Sequence, residues 1–509
     1  MNDPSYQTTQ NTWQSDSGIN TRFWFWLLCS LQLILWTLAP TLTRGNGPFD
    51  TIESLAWGNQ WQLGYDKHPP LAAWLTSLIT HLGGNVVGWP MYLLGQIAAI
   101  ATFWGIWQLA KKIMPPLQAL IAVALLQGII YYTLITPKFN PTTLMSPIWA
   151  LEIFVFYLAL KQQKIWQWLL VGVFGGLAML TKYQSSLLLF SMFLFMLTTK
   201  AGRKNFREKN IYFAIIIGIL IMLPNVIWLF QHHFSAITYA TTRVQSYKLH
   251  PLILNHIYYP IMFSLQQIGV VIPIFFMFTP FYFCKRNETK LLNFDKWFLL
   301  WMGLGPFFLT ILISLIFGAY LEAKWATPYF ILAGIILVAW YKPIVTKKHL
   351  HYFAWIVFIV MLIVVSVRSA FLLYGPMLTG KARPDAYFPG KNIAINLTNE
   401  WYQRYQKKLK YVAGAHYVVA NIAVYSPDRP IPYFDWSKKA AAWVNENNLR
   451  KQGAVFVWFV KQRGRKLPKE IKKRFPSAIQ LPVHYYQKLT KEKVKPVAIG
   501  VALLPPGKN

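Results

Sequence analysis

Long apolar runs alternate with short polar segments along most of the chain, at roughly 23–40, 86–110, 117–137, 142–160, 166–181, 184–199, 211–231, 257–283, 297–318, 326–341 and 351–373. A helix needs ~20 apolar residues to cross the hydrocarbon layer. The pattern therefore predicts about 11 transmembrane helices and a polytopic α-helical membrane protein. The first run, "FWFWLLCSLQLILWTLAP", lacks a small-residue cleavage site and reads as a retained helix, not a signal peptide. Beyond about residue 375 the rhythm changes. "YVAGAHYVVANIAVYS" and "GAVFVWFV" read as short buried strands, and "SKKAAAWVNENNLRKQG" as a helix from an N-cap at Ser437 to a C-cap at Gly453. The expected division is a polar N-terminal tail (1–22), a transmembrane domain (23–375) and a C-terminal α/β domain (376–509).

Composition agrees with a membrane protein: 55% of residues are apolar and only 13% charged, where soluble domains carry about 25% charged residues. The net charge of +33 raises nucleic acid as a partner class. In a polytopic chain, however, basic residues set topology and meet anionic headgroups, so no nucleic-acid partner is expected. Lys111-Lys112, Lys161 and Lys164, "KAGRKNFREK" (200–209), Lys285-Arg286 and Lys347-Lys348 all fall on one side of the eleven spans. The positive-inside rule makes that side cytoplasmic. The opposite loops carry only Arg44, Lys67, Lys138, Arg243, Lys248 and Lys324. The odd count leaves the N-terminus inside and the C-terminal domain extracytoplasmic. That domain holds 25 Lys/Arg against 7 Asp/Glu, a surplus that suits either a phosphate-rich membrane surface or a generally basic, soluble one. The two cysteines, Cys29 and Cys284, lie in apolar runs and read as core packing.

Only 17 acidic residues occur in the chain, yet Asp50, Glu53 and Asp66 share one loop, "FDTIESLAWGNQWQLGYDKHPPLAAWL" (49–75). If "TIESLAWGNQWQ" is helical, the i, i+3 spacing puts the carboxylates of Asp50 and Glu53 on one face. Such a pair at a membrane surface suits general-base work; the alternative is a solvated loop with helix-capping acids. Leu55, Trp57 and Trp61 suit the membrane interface, and "HPPL" favours an extended turn. Lys182, at the outer end of the fifth span, either snorkels or supplies a cation for a phosphate, with Tyr183 beside it. Lys67 and His68 are similar candidates. Lys324 with Glu322 reads as an ion pair at a helix end or as a substrate contact. Arg243 and Lys248 lie in a long outer loop of the kind that closes over sites, while His232-His233 alone makes no metal motif. Glu152 falls within the fourth span, where an acid is costly and functional by default, or else pairs with polar helix partners.

The order of these motifs resembles the GT-C membrane glycosyltransferases, in particular the family 39-like branch that includes lipid A aminoarabinose transferase and the lipopolysaccharide galacturonosyltransferases. The resemblance rests on the acidic first loop, "GY…HPPL..WL", "KFNPTTLMSPIWAL" (138–151), "GGLAMLTKYQSSLLL" (175–189), "EAKWATP" (322–328) and "VAGAHYVVANIAVYSPDRP" (412–430). It implies a GT-C fold that transfers a sugar from a polyprenyl-phosphate donor to an acceptor, lipid A or lipopolysaccharide core before protein, on the periplasmic face of a bacterial inner membrane. The family's first-loop base maps onto Asp50, with Glu53 beside it as the second catalytic acid. Lys67, His68, Lys182, Tyr183, Asn140, Arg243 and Lys324 are the implied donor-phosphate or substrate contacts. Asn140 stands where many members carry a second acid. Lys67 replaces an acid that is associated with metal, so a metal-independent reaction is expected, with a divalent metal as the alternative. Ala415 and Tyr417 replace the usual Asp and Trp of the tail motif. The rival class is a lipid-linked sugar flippase or other transporter. Internal repeats and midplane charges would mark that class, whereas this chain puts its acids in an outer loop.

Overall fold

The computed structural model describes residues 18–507 apart from 246, 248, 381–384 and 493. Most of the polar N-terminal tail, and Lys248, lie outside the described residues. Among the described residues, seven helices are long and apolar enough to cross a membrane: Thr21–Thr43, Trp89–Ile113, Pro141–Gln162, Lys209–Gln231, Leu252–Met277, Asn293–Phe317 and Lys347–Thr379. The pair Tyr183–Thr198 and Lys200–Arg207, bent by 98°, makes an eighth if taken as one span. Outward-facing Ile215, Ile216, Ile219 and Leu220 on Lys209–Gln231 are exposed, as expected of a surface solvated by lipid chains rather than water.

Every one of the eleven apolar stretches contains helix, but they are not equivalent. Ile165–Thr181 has 17 residues. The stretch 117–137 is helical only over Pro116–Ala124 and continues as 3₁₀ turns. The stretch 326–341 is helical only over Ala333–Tyr341. These two half-helices pack together so closely that a Cβ on Gly334 would lie 1.9 Å from the Ala122 carbonyl oxygen. Hydropathy alone does not distinguish such broken segments from full spans.

The loop after the first long helix is a helical hairpin. Phe49–Gly58 is helical, which meets the condition for Asp50 and Glu53 to lie one turn apart on it. The "HPPL" turn is non-helical through Pro70, and a second apolar helix, Leu71–Leu82, starts directly after it. The two helices touch at Gly58, where a Cβ would meet the Ala73 carbonyl oxygen at 2.1 Å.

The C-terminal domain is a mixed sheet of six strands: β1 (Tyr411–Gly414), β2 (Ile431–Phe434), β3 (Ala454–Phe459), β4 (Ile479–Gln480), β5 (His484–Tyr486) and β6 (Val497–Leu504). The order is β2-β1-β3-β6-β4, with β5 also on β6. β1 is parallel to β2 and β3, and β6 runs antiparallel to β3. Two expectations are corrected here. "YVAGAHYVVANIAVYS" is one strand followed by a helix, His416–Tyr425. Gly414, at φ 135°, turns the chain where a Cβ would collide with the Val457 carbonyl oxygen, and the apolar run then curls back over the sheet. The expected helix from Ser437 begins only at Glu446, capped by the Asn445 side chain, although it does end at Gly453.

The sheet domain and the first-loop helix share one core. Ile52, Leu55, Trp57 and Tyr65 belong to the same buried cluster as Val412, Val419 and Phe434. Leu55 and Trp57 are therefore buried by the docked domain and do not lie in the membrane interface, whereas Trp61 remains exposed. Each such large side chain contributes about 1.5–3 kcal/mol on burial, so the domain is held directly against the acidic loop.

Candidate active site

Asp50 lies in the first turn of Phe49–Gly58, and 39% of its side-chain surface is open. Asn140 Nδ2 donates to its Oδ2 at 3.4 Å, and Lys324 Nζ stands 3.9 Å from the same oxygen. Asn140 is fixed because it caps Pro141–Gln162: its Oδ1 accepts from the Thr142 and Thr143 amides, and Thr143 closes the capping box. Partial burial pushes the Asp50 carboxyl above its ordinary range, against the pull of Lys324. An open carboxylate with a raised pKa has the properties of a general base.

One turn on, Glu53 has a different environment. Its side chain is 7% exposed, with Lys67 Nζ at 2.6 Å and His416 Nε2 at 2.5 Å from Oε1. Burial alone would raise this carboxyl; Lys67 and His416 outweigh it and hold Glu53 well below its usual range. His416 comes from the sheet domain and stacks on Phe434, with Asp435 at 3.7 Å from Nδ1. Burial opposes its charge, but Glu53 and Asp435 raise its pKa. Asp66 is lifted to about 6 by burial, and its Oδ1 has no hydrogen-bond partner among the described residues.

A second cationic group gathers beside Asp50. Lys324 pairs with Glu322 at 3.2 Å, and Arg243 reaches Glu322 at 3.6 Å. Lys182, just past the end of Ile165–Thr181, donates to Thr142 Oγ1 at 3.0 Å and lies over the Trp325 ring. Burial and the neighbouring Lys324 lower its pKa to about 7.

The comparisons with known proteins fit this arrangement. The family pattern of the dolichyl-phosphate-mannose-protein mannosyltransferases matches residues 67–228. The lipid A galacturonosyltransferase RgtD of Rhizobium johnstonii is 26% identical over 323 residues, which span 62% of this chain and 64% of that protein. The crystal structure of ArnT from Cupriavidus metallidurans bound to undecaprenyl phosphate superposes with a TM-score of 0.56 at 13% identity, covering 96% of this chain and 99% of that one. Its apo form superposes at 0.53 with the same coverage. The fold is GT-C. The chain resembles the GT-C membrane glycosyltransferases that modify lipid A and lipopolysaccharide.

Within the GT-C frame the anticipated residues divide into three groups. Asp50, Asn140, Lys182 and Lys324 converge, with Arg243 joined through Glu322. Lys67 faces the other way: it is held by Glu53 and by the rings of Trp57 and Tyr239, each 5.7 Å away. His68 lies between these groups, edge-on to Trp57 and Tyr239. Burial and Lys182 push its pKa down to about 3, so it is neutral and offers a hydrogen bond where a positive charge was expected. Tyr183 donates to Asn225 Oδ1 at 2.8 Å, and Asn225 in turn donates to the Leu63 carbonyl, bracing the outer loop. Glu152 is fully buried, and neither carboxylate oxygen has a hydrogen-bond partner among the described residues. Sequence reasoning assigned no role to His416, Asp435 or Tyr239. His416 stood in a quoted motif, but its partner lies 363 positions away, and no local spacing signals that contact.

Proposed function

We propose that this chain is a membrane glycosyltransferase. It transfers a sugar from a polyprenyl-phosphate donor to a hydroxyl of an acceptor lipid, lipid A or lipopolysaccharide core, on the periplasmic face of a bacterial inner membrane. The observation that carries this reading is the grouping at the site: Asp50 is open and carries a raised pKa, and it stands beside Lys324 and near the buried Lys182. In the reaction, Asp50 accepts the proton of the acceptor hydroxyl as its oxygen attacks the anomeric carbon. The bond from that carbon to the phosphate oxygen breaks, and the phosphate leaves on the prenyl chain. Lys324 and Lys182 stabilise the charge that develops on the leaving phosphate, in a site poor in water. Arg243 supports Lys324 through Glu322, and neutral His68 donates a hydrogen bond.

The reading is supported by the GT-C fold, by the likeness to a lipid A galacturonosyltransferase and by the undecaprenyl phosphate held by ArnT. The test is transfer from a prenyl-phosphate sugar to lipid A by the purified protein, followed by mass spectrometry. A mass increment on the acceptor that depends on Asp50 is expected. Movement of intact donor across vesicles without transfer would replace this reading with a transporter.

A further inference from the structure

The first and last long helices, Thr21–Thr43 and Lys347–Thr379, both begin at the end of the bundle away from Asp50, which follows the far end of the first. Between their first halves lies a groove of about 630 Å³, within the roughly 300–1,000 Å³ of specific ligand sites. Its floor is the half-helix Pro116–Ala124, through Leu120 and Ile121. Leu27 and Leu31 form one wall, Val357 and Met361 the other. The groove has the depth of one lipid monolayer. From Lys347 to Met361 the helix rises ~21 Å at 1.5 Å per residue, and half of a bilayer about 40–45 Å thick with its headgroups is about the same.

The polar groups gather at one end. Lys347 lines the groove there, and Lys348 follows it in sequence. No carboxylate is among the lining residues, and among the described residues neither lysine forms an ion pair. His351, one turn on, also lines the groove. Trp355 Nε1 donates to its Nε2 at 3.0 Å, so the neutral ring keeps its proton on Nδ1 and has that donor to offer. A cationic head over an apolar trough of monolayer depth matches an anionic lipid, because basic side chains at a membrane surface attract acidic headgroups. An acyl chain in the trough supplies dispersion contacts that a void forfeits. The residues preceding Gly18 are polar and hold no apolar run to lay in it. A polyprenyl phosphate, whose phosphate the transfer reaction needs beside Asp50, would have its head at the opposite end.

We propose that this groove is a binding site for an anionic diacyl phospholipid, with the phosphate on Lys347 and His351 and an acyl chain along Leu27, Leu31, Val357 and Met361. The bound lipid joins the first and last long helices, and the site stands whether or not the chain transfers a sugar.

The test reads binding, not turnover. The purified full chain is stripped of lipid in a neutral detergent and titrated with phosphatidylglycerol, phosphatidylcholine of the same acyl chains and undecaprenyl phosphate, with bound lipid counted by native mass spectrometry. Phosphatidylglycerol should bind at least about fivefold tighter than phosphatidylcholine, the worth of one basic side chain at an anionic headgroup. Lys347→Gln should remove that preference and leave phosphatidylcholine binding as it was. Ala354 is exposed and lines the groove, so Ala354→Trp fills it with an indole and should lower binding of both diacyl lipids about tenfold, with undecaprenyl phosphate unchanged. Ile359→Trp, exposed on the same helix outside the groove, should bind all three lipids as wild type does. Should Ala354→Trp melt lower than wild type in lipid-free detergent, Lys347→Gln decides alone. The proposal is overturned if wild type binds phosphatidylglycerol and phosphatidylcholine equally, if Lys347→Gln keeps the preference, or if a folded Ala354→Trp binds phosphatidylglycerol as wild type does. Equal loss of undecaprenyl phosphate in Ala354→Trp also overturns it, by making the groove a prenyl-lipid site.

Discussion

Asp50 and Glu53 sit one turn apart on a ten-residue helix, and both are carboxylates in the same loop between membrane helices. Asp50 faces the loops that leave the membrane helices, where it is open, loosely paired and shifted upward. Glu53 faces the sheet domain, where two cations at 2.5–2.6 Å clamp it and shift it downward. The difference comes from what is docked against each face of the helix. One face is left open, and the other fastens a domain to the membrane region.

The comparison breaks most visibly at Asp50. Asp50→Asn keeps shape and hydrogen bonding but removes the base. General-base catalysis contributes on the order of 10²–10⁴-fold, so turnover should fall by that factor with the melting temperature unchanged. Near-wild-type turnover in a pH series would move the catalytic centre away from this loop.

Glu53→Gln should do the reverse. It leaves Lys67 and His416 buried without their counter-charge, and breaking a buried ion pair costs about 3–5 kcal/mol. The expected result is a melting temperature several degrees lower in detergent, with a smaller loss of turnover per folded molecule than Asp50→Asn gives. Equal turnover loss at an unchanged melting temperature would make Glu53 a partner in the chemistry.

Lys182 sharpens the open side. Its pKa of about 7 leaves it largely neutral in the empty site above that pH, and a bound phosphate favours its charged form. Binding therefore takes up a proton at pH 8, and undecaprenyl phosphate affinity should decline by up to about tenfold per pH unit above 7. Lys182→Met should bind about tenfold more weakly at pH 6.5 and lose most of that slope. Unchanged affinity would leave Lys182 a snorkelling residue.

The sequence made these two faces unequally legible. Acids are so scarce in this chain that their crowding in 49–75 marks the loop at once, and the helix on which the i, i+3 reading depends is present over Phe49–Gly58. The apolar runs were legible because lipid selects them directly, yet the half-helices at Pro116–Ala124 and Ala333–Tyr341 follow from a close approach at Gly334 that hydropathy does not encode. Leu71–Leu82 was hidden because it is too short to span and follows two prolines. The run after Gly414 has strand-like composition, but Gly414 at φ 135° turns the chain out of β1, which already pairs with β2 and β3, and the run continues as a helix. With that helix missed, His416 could not be placed beside Glu53, so the fastening face stayed invisible while the open face was singled out.

The smallest expected effect lies in that fastening. His416 has its pKa raised by Glu53 and Asp435 against the cost of burial, so it contributes stability that is fully present below its unfolded value near 6.5 and lost as pH rises through the folded value. Glu53, shifted downward, contributes stability that is present above its unfolded value near 4.5 and lost only in strong acid. Between these limits the junction should be most stable around pH 5–6 and weaken gently toward alkaline pH. His416→Gln should lower the melting temperature at pH 6 and flatten the decline above it, because the group that loses its charge is gone. Limited proteolysis between the last membrane helix and the sheet domain gives an independent readout, with faster cleavage at pH 8 than at pH 6 in wild type and no such difference in the variant. If the decline persists in His416→Gln, another group fastens the domain, and the contrast between the two faces of the helix reduces to the behaviour of Asp50 alone.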